Sequence, residues 1–526
     1  MYEKQMRVKF WGNVLFVAAI VAVCFFYLQL DPLRLLTAAP NFAQYVAVNF
    51  FPPSFANIQF HLPAVLHTVA FALVSTAVAT VLSFIAALLM SDVIMPYAWV
   101  RWLVRFIMAF MRNIPVIIWV QLMVFIFGIG SMVGLIALIL ATTGFLSRSY
   151  SNSIDEIAAK RLEPLRASGA GVFAVIRHGL LPEFVPSWVN WTLFTFELSI
   201  RASAVLGMVG AGGIGVVIQT QLSLRRFNEA TTLILMLILI VLLTEFVTGY
   251  LRRKVIAPAT AGKPDKSTKI RVMPLRMQVF RWGLLPVVMA VFLFGLWYLQ
   301  LDVARFVNRL SNAPRVLRLL MDVNVDMILP GLQQFMVSFA MGVVGLVLGG
   351  LLALVLAFLA ADNIAPWRPL AIAIKTFVSI VRAVPSLVII LMIVAAIGLG
   401  YTTGVVGLII SSMGYLTKAF IASIEEQDKN IITAMRSTGA KWGQIVIHGL
   451  LPAVATSFLA WVAIRLETSV AESITLGIVG AGGIGTMLSR AIRQIDYPTI
   501  TVLILIIVLC MMLLEWGVSW VRRVVL

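Results

Sequence analysis

Charge, cysteine and nucleotide-binding motifs are what this sequence has least of. Only 12% of its residues are charged, and acids are the scarcer sign, with 22 Asp plus Glu against 40 Lys plus Arg. A soluble domain carries about 25% charged residues, so an ordinary soluble enzyme and a disordered tail are both excluded. Two cysteines, Cys24 and Cys510, each sit inside an apolar run. They lack metal-ligand spacing and rule out a disulfide-stapled secreted scaffold. No G-x-x-x-x-G-K-[ST] motif occurs, and the sole Gly-Lys pair, Gly262-Lys263, is followed by Pro264. A chain without that loop must leave any ATP to another chain.

What is present is apolar sequence in long runs. The 526 residues are 61% hydrophobic, with a mean hydropathy of +1.01. A membrane-spanning helix needs about 20 such residues, so the chain reads as an all-α polytopic membrane protein. Its net charge of +18 would suggest nucleic-acid binding on a soluble protein. Here the cations gather in an N-terminal tail (Lys4, Arg7, Lys9), in the stretch 251–281 and at Arg522-Arg523, the positive-inside bias of a membrane protein. Nucleic acid is therefore not expected as a partner, and the lipid bilayer is. A basic stretch precedes the first apolar run, but no small-residue cleavage site follows Tyr27, which points to a retained helix rather than a signal peptide.

The chain is two copies of one unit. Residues 205–215 read VLGMVGAGGIG and 475–485 read TLGIVGAGGIG, nine of eleven positions alike at an offset of 270. The same offset aligns His178-Gly179-Leu180-Leu181-Pro182 with His448-Gly449-Leu450-Leu451-Pro452, and Arg112-Asn113-Ile114-Pro115 with Arg382-Ala383-Val384-Pro385. Tyr27-Leu28-Gln29-Leu30-Asp31 matches Tyr298-Leu299-Gln300-Leu301-Asp302 at offset 271. Chance likeness between apolar helices does not keep polar and Gly motifs in fixed register. The expected domains are a first repeat, 1–253, a cytoplasmic linker, 254–276, and a second repeat, 277–526.

Each repeat reads as six spans, near 10–30, 64–90, 103–127, 131–147, 183–206 and 229–250, then near 283–301, 332–360, 373–397, 404–420, 453–476 and 499–520. Six is even, as basic stretches at both ends and in the middle require if all three face the cytoplasm. That parity places 147–182 and 417–452 inside, and 31–63, 207–228, 302–331 and 477–498 outside. Most cations then fall in or beside inner segments. Both halves share one orientation, so the repeat is parallel and a path can form between them.

The inner segments are the longest polar stretches between spans. The first contains Glu163-Pro164-Leu165-Arg166-Ala167-Ser168-Gly169-Ala170 and closes at Leu181-Pro182; the second contains Thr433-Ala434-Met435-Arg436-Ser437-Thr438-Gly439-Ala440 and closes at Leu451-Pro452, without the Glu. The first resembles the EAA loop of ABC importer permeases. The resemblance implies a short coupling helix turning at Gly169 and docked on an ATPase subunit. Glu163, Ser168, Gly169, Ala170, Thr438, Gly439 and Ala440 are then the contact residues. Residues 196–215, FELSIRASAVLGMVGAGGIG, and the upstream Arg112-Asn113-Ile114-Pro115 look like the permease subunit of phosphonate and phosphite ABC transporters. That resemblance implies a type I ABC importer permease fold with about 12 transmembrane helices. It further implies import of small phosphorus oxyanions, a homodimer of ATPase subunits carrying ATP and Mg, an extracytoplasmic substrate-binding protein, and a bacterial inner membrane. No cofactor is expected in this chain.

Ionisable residues inside a membrane are functional candidates. Arg112 lies eleven residues after Arg101, about 16 Å along a helix, which places it well inside the bilayer; Arg382 is its counterpart. Their guanidinium forks could guide an oxyanion, or pair with Glu197 and Glu467 or with carbonyls freed by Pro115 and Pro385, which should kink each helix. Glu197 and Arg201, spaced i, i+4, should pair, and with Glu467 they are further candidates for the substrate path, Arg201 as the family's own arginine. In the second copy Ala471 stands where Arg201 would be, and Arg465 and Glu467 are too close in sequence to face one another. Gly210, Gly212, Gly213, Gly480, Gly482 and Gly483 read as flexible outer loops, either letting the backbone pack closely at an outer gate or under a binding protein, or forming a helix C-cap and turn. Arg225, Arg226, Arg490 and Arg493 follow, as docking or solvated charge. Another small-solute ABC permease, for an amino acid such as methionine, would keep the fold and lose the FELSIRA segment. An ion-coupled secondary transporter would need buried acids and usually an inverted repeat.

Overall fold

In a computed structural model, the described residues are 15, 18–158, 162–255 and 275–525. The basic tail, most of the linker and part of the first expected span lie outside them. Among the described residues every regular element is helical. In chain order the first repeat contains α1 (Ala18–Tyr27), α2 (Pro32–Asn49), α3 (Ile58–Met90), α4 (Ala98–Asn113), α5 (Val116–Phe127), α6 (Ser131–Ile157), α7 (Glu163–Ala167), α8 (Val172–Ala211), α9 (Ile214–Ser223) and α10 (Phe227–Val255). The second contains α11 (Leu275–Tyr298), α12 (Val303–Leu310), α13 (Ala313–Leu320), α14 (Val325–Ala360), α15 (Arg368–Ala383), α16 (Ser386–Ile397), α17 (Tyr401–Glu425), α18 (Lys429–Ser437), α19 (Trp442–Ala481), α20 (Gly483–Gln494) and α21 (Tyr497–Val525). Among the described residues eight helices are long and apolar enough to cross a membrane, and the number rises to 12, as read from the sequence, if each of four bent pairs is one span.

Two expected spans differ from the expectation. Residues 103–127 and 373–397 read as single helices with a kink, but α4–α5 and α15–α16 break by 95° and 92°. Ile114 and Val384, held extended before their prolines (ψ 118° and 123°), end the helices. A residue before Pro is pushed out of the α region, and the Pro ring supplies no N–H to continue the ladder. The depth inferred for Arg112 assumed a straight crossing and loses its basis, because α4 and α5 do not share an axis.

The chain gathers into two compact units, one of Met1–Phe51 with Leu317–Leu526, the other of Pro52–Val316. The opening helices of each repeat therefore belong with the body of the other. In one unit Ala38 of α2 is buried with Ile389, Ile393 and Val406, and the Tyr27 hydroxyl donates to the Gln333 carbonyl at 3.3 Å. In the other, Gly295 of α11 lies against Val74 of α3, and Tyr298 donates to the Pro63 carbonyl at 3.1 Å. The two tyrosine hydroxyl bonds repeat in register, so there the duplication extends to tertiary packing.

Candidate functional site

The clearest local geometry is at the ends of α7 and α18. Gly169 and Gly439 have φ of +86° and +78°, the left-handed conformation that Gly adopts without a Cβ penalty. Around the first, the Gly169 amide donates to the Arg166 carbonyl at 3.0 Å and the Ala170 amide to Leu165 at 3.3 Å; around the second, Gly439 donates to Arg436 at 3.0 Å and Ala440 to Met435 at 3.2 Å. Both are the paired bonds of a Schellman C-cap. Ser168 and Thr438 add hydroxyl bonds to the Leu165 and Met435 carbonyls, each 2.8 Å.

The tips are exposed while their roots are buried. Ser168, Gly169, Thr438 and Gly439 face solvent, with Ala170 and Ala440 half-buried. Leu162 and Leu165 pack into a core with Tyr150, Val175 and Leu180, and Ile432 and Met435 into another with Phe420, Ile445 and Leu450. Gly179 and Gly449, from the two HGLLP motifs, admit this contact: a Cβ there would come within 2.8 Å of Leu162 and 2.4 Å of Met435. Each tip is thus tied through close packing to long helices. Just past the turns, Phe173 and Trp442 are exposed, apolar contact surface that the sequence reading missed. Glu163 opens α7.

A second centre lies along α8 and α19. Glu197 is buried and accepts from Arg201 Nη2 one turn later, as the spacing predicts. The equivalent stretch of α19 holds a pair the sequence reading did not find. Arg465, 4% exposed, donates Nη1 and Nη2 to both carboxylate oxygens of Glu472 at 2.9 and 2.8 Å. Ser411 on α17 bridges, accepting from Arg465 Nη2 and donating to Glu472, each at 2.9 Å. The guanidinium also lies 5.5 Å from the centre of the Tyr415 ring. The i, i+7 separation is two helical turns, about 10 Å, and two long side chains span it. A bidentate pair with every donor engaged is the form in which a buried guanidinium is tolerated. Glu467, aligned with Glu197, is half-buried on α19.

The glycine segments are not loose loops. α8 runs on to Ala211, reverses through Gly210 (φ +99°), Gly212 (+91°) and Gly213 (+76°), and restarts as α9; Gly480, Gly482 and Gly483 repeat this at +103°, +101° and +73°. The strands of backbone touch: a Cβ on Gly215 would lie 1.9 Å from the Ala204 carbonyl oxygen, and one on Gly485 1.9 Å from that of Ile474. An amide in the first turn of each new helix is capped from a neighbour, Ile214 by Thr68 Oγ1 at 2.9 Å and Ile484 by Ser338 Oγ at 3.1 Å. Ser203 and Ser473 tie α8 and α19 to the carbonyls of the same two residues. Close approach, not flexibility, is what requires so many glycines here.

Arg112 and Arg382 lie in the last turns of α4 and α15, just before the breaks, each half-buried. Gly144 of α6 and Gly414 of α17 let the arginine-bearing helices approach: a Cβ on Gly144 would meet the Arg112 amide nitrogen at 2.8 Å, and one on Gly414 the Arg382 Cγ at 3.4 Å. Pro115 and Pro385 begin the next helices.

Comparison with known proteins agrees with this layout. The family profile described as binding-protein-dependent transport system inner membrane component matches residues 79–257 and again 353–525. The phosphate-import permease protein PhnE of Mycolicibacterium smegmatis is 28% identical over 458 residues, covering 86% of this chain and 84% of that protein. The phosphite transport system permease protein PtxC of Stutzerimonas stutzeri is 29% identical over 243 residues, 46% of this chain and 88% of that one, the length of one repeat. The methionine import system permease protein MetP of Bacillus subtilis is 26% identical over 134 residues, 23% of this chain and 58% of that protein.

Proposed function

The chain belongs to the binding-protein-dependent transport inner-membrane family, present twice in tandem, and from that premise we propose that it forms the membrane path of an ATP-driven importer of small phosphorus oxyanions. The observation that carries this reading is the pair of capped turns at Gly169 and Gly439, repeated in register, exposed at the tip and packed at the root. A chain with no nucleotide-binding loop of its own gains ATP-driven motion through such rigid protruding elements. Phosphate or phosphite as the solute is supported by what the two longer relatives are named for, and a phosphonate carries the same oxyanion chemistry.

In this reading two copies of an ATPase subunit bind ATP and Mg and press on the two turns. Hydrolysis belongs to that partner, and this chain is not an enzyme. An extracytoplasmic binding protein delivers the solute to the opposite face, and the basic ends and linker lie in the cytoplasm of a bacterial inner membrane. Arg112 and Arg382 are assigned to the solute path, because guanidinium forks match oxyanion geometry and both stand where a helix breaks. Glu197–Arg201 and Glu467 flank the path. The glycine reversals, held by Thr68 and Ser338, act as stiff hinges.

The test is ATP hydrolysis by the assembled complex in the presence of binding proteins loaded with phosphate, phosphite, methylphosphonate or methionine. Stimulation by a phosphorus oxyanion and not by methionine is expected. Stimulation by methionine alone would overturn the solute assignment, and failure of any ATPase to co-purify would overturn the importer reading.

A further inference from the structure

The duplicated sequence builds the same corner twice, and only one copy is filled. In one unit the turn after α16 adjoins α2; in the other the turn after α5 adjoins α12. Gln29, Asp31 and Arg34 correspond to Gln300, Asp302 and Arg305, and Gly398 and Gly400 to Gly128 and Gly130. Yet the first corner encloses a cavity of about 400 Å3 and the second one of about 110 Å3.

The filled corner shows what closes it. Arg309 donates from Nη1 to the Phe127 carbonyl at 2.7 Å, its guanidinium lying over Gly128, where a Cβ would collide with it. Phe306 stacks on Phe127 with ring centroids 4.0 Å apart. The equivalent residues in the open corner are Ala38, Leu35 and Ile397. Ala38 is too short to reach and is buried against Ile389, Ile393 and Val406. Neither Gly398 nor Gly400 has an atom within 4 Å of where a Cβ would stand.

We propose that the open corner is a socket for a guanidinium or ammonium group carried by the external binding protein. This rests on the reading above: the parity that puts 31–63, and so α2, outside puts the turn between the spans 373–397 and 404–420 outside as well. The lining suits a cationic donor. Thr403 donates its hydroxyl to the Gly398 carbonyl at 2.6 Å and Thr37 donates to the Leu33 carbonyl at 2.9 Å, so both oxygens offer lone pairs to the cavity. Asn41, Tyr401 and Thr402 add further acceptor oxygens. The filled corner has Met132 and Val133 in place of Thr402 and Thr403, an apolar lining for a closed site. Arg34 is the cation at the rim and lies 3.6 Å from Asp31, so it adds little net charge. The matching Arg305 lines the corner that already seats Arg309, so a rim arginine does not exclude a second guanidinium.

The test uses the whole complex in proteoliposomes, with binding protein titrated against ATP hydrolysis. Ala38→Arg should fill the socket from within, as Arg309 does. The half-saturating concentration of binding protein should rise about tenfold, the scale of one charge-assisted hydrogen bond. Hydrolysis without binding protein and at saturation should stay unchanged. Phenylglyoxal or acetylation of the ligand-loaded binding protein, blocking its basic side chains, should produce the same rise with the unsubstituted complex and none beyond it with Ala38→Arg. Thr402→Met with Thr403→Val, which copies the filled corner, should raise half-saturation about threefold through lost acceptors and carries the test if Ala38→Arg fails to assemble. Unchanged half-saturation in the variants that assemble would overturn the socket. A fall in maximal rate at constant half-saturation would also overturn it, by placing the solute and not the partner in the cavity. Absence of any stimulation of the unsubstituted complex by a loaded binding protein would overturn the importer reading, and the socket with it.

Discussion

Helices α8 and α19 are equivalent in the duplicated sequence, yet their charges run in opposite order. In α8 the acid Glu197 comes one turn before Arg201; in α19 the base Arg465 comes two turns before Glu472. Thr195 stands where α19 has Arg465, and Ala471 where α8 has Arg201. The surroundings changed as well: Ser411 and Tyr415, which contact Arg465, replace Ala141 and Phe145. What both helices retain is an ion pair, because a lone charge in apolar surroundings costs several kcal/mol. By contrast the glycine reversals recur in both repeats with equivalent ties to Thr68 and Ser338, and Thr486, in place of Val216, adds bonds at the second. A backbone contact at 1.9 Å from a virtual Cβ leaves no alternative residue, while a charge pair can be rebuilt from other positions.

The sharpest way to break this comparison is to remove one member of the buried pair. Arg465→Leu should destabilise the folded chain by about 3–5 kcal/mol, read as lost monodisperse protein on size-exclusion chromatography. Arg465→Leu with Glu472→Leu should recover much of it; no recovery would mean that the arginine acts through something other than Glu472. Next, Gly215→Ala and Gly485→Ala should each cost about 1–3 kcal/mol or more through overpacking against backbone. Equal losses in the melting temperatures of the two variants would support identical reversals, and tolerance in one would show that its reversal can relax.

Smaller in stability but larger in consequence is Gly169→Asp, expected to cost about 1–2 kcal/mol of left-handed strain. Hydrolysis should continue while solute moved per ATP falls, measured in proteoliposomes. Gly439→Asp should do the same, and full coupling in either would remove that turn from the drive. Smallest is Arg112→Ala or Arg382→Ala, expected to lower uptake about threefold to tenfold with ATPase assembly intact. Normal uptake in both would take them off the path.

Local features were legible in the sequence. Glu197 and Arg201 pair because i, i+4 side chains meet on any helix, and Gly169 turns as a residue after a short helix should. The long apolar helices followed from the apolar runs. Three features were not legible. Pro115 announces a disturbance, but a right-angle break depends on α4 seating against Gly144. Arg465 and Glu472 are seven apart, beyond the usual i, i+4 reach, and Ser411 from another helix bridges them. The grouping of α1 and α2 with the body of the second repeat is set by packing such as Ala38 on Ile393, and an apolar helix does not encode its partner in its own pattern.

The central claim is that both capped turns meet an ATPase subunit. Single cysteines placed at Ser168 and at Thr438, with Cys24 and Cys510 replaced by serine, test it by cross-linking in the assembled complex. Both positions should cross-link to the ATPase, and the yield should change when ATP is bound. Cross-linking at neither position, in a complex that still hydrolyses ATP in response to the binding protein, would contradict the claim.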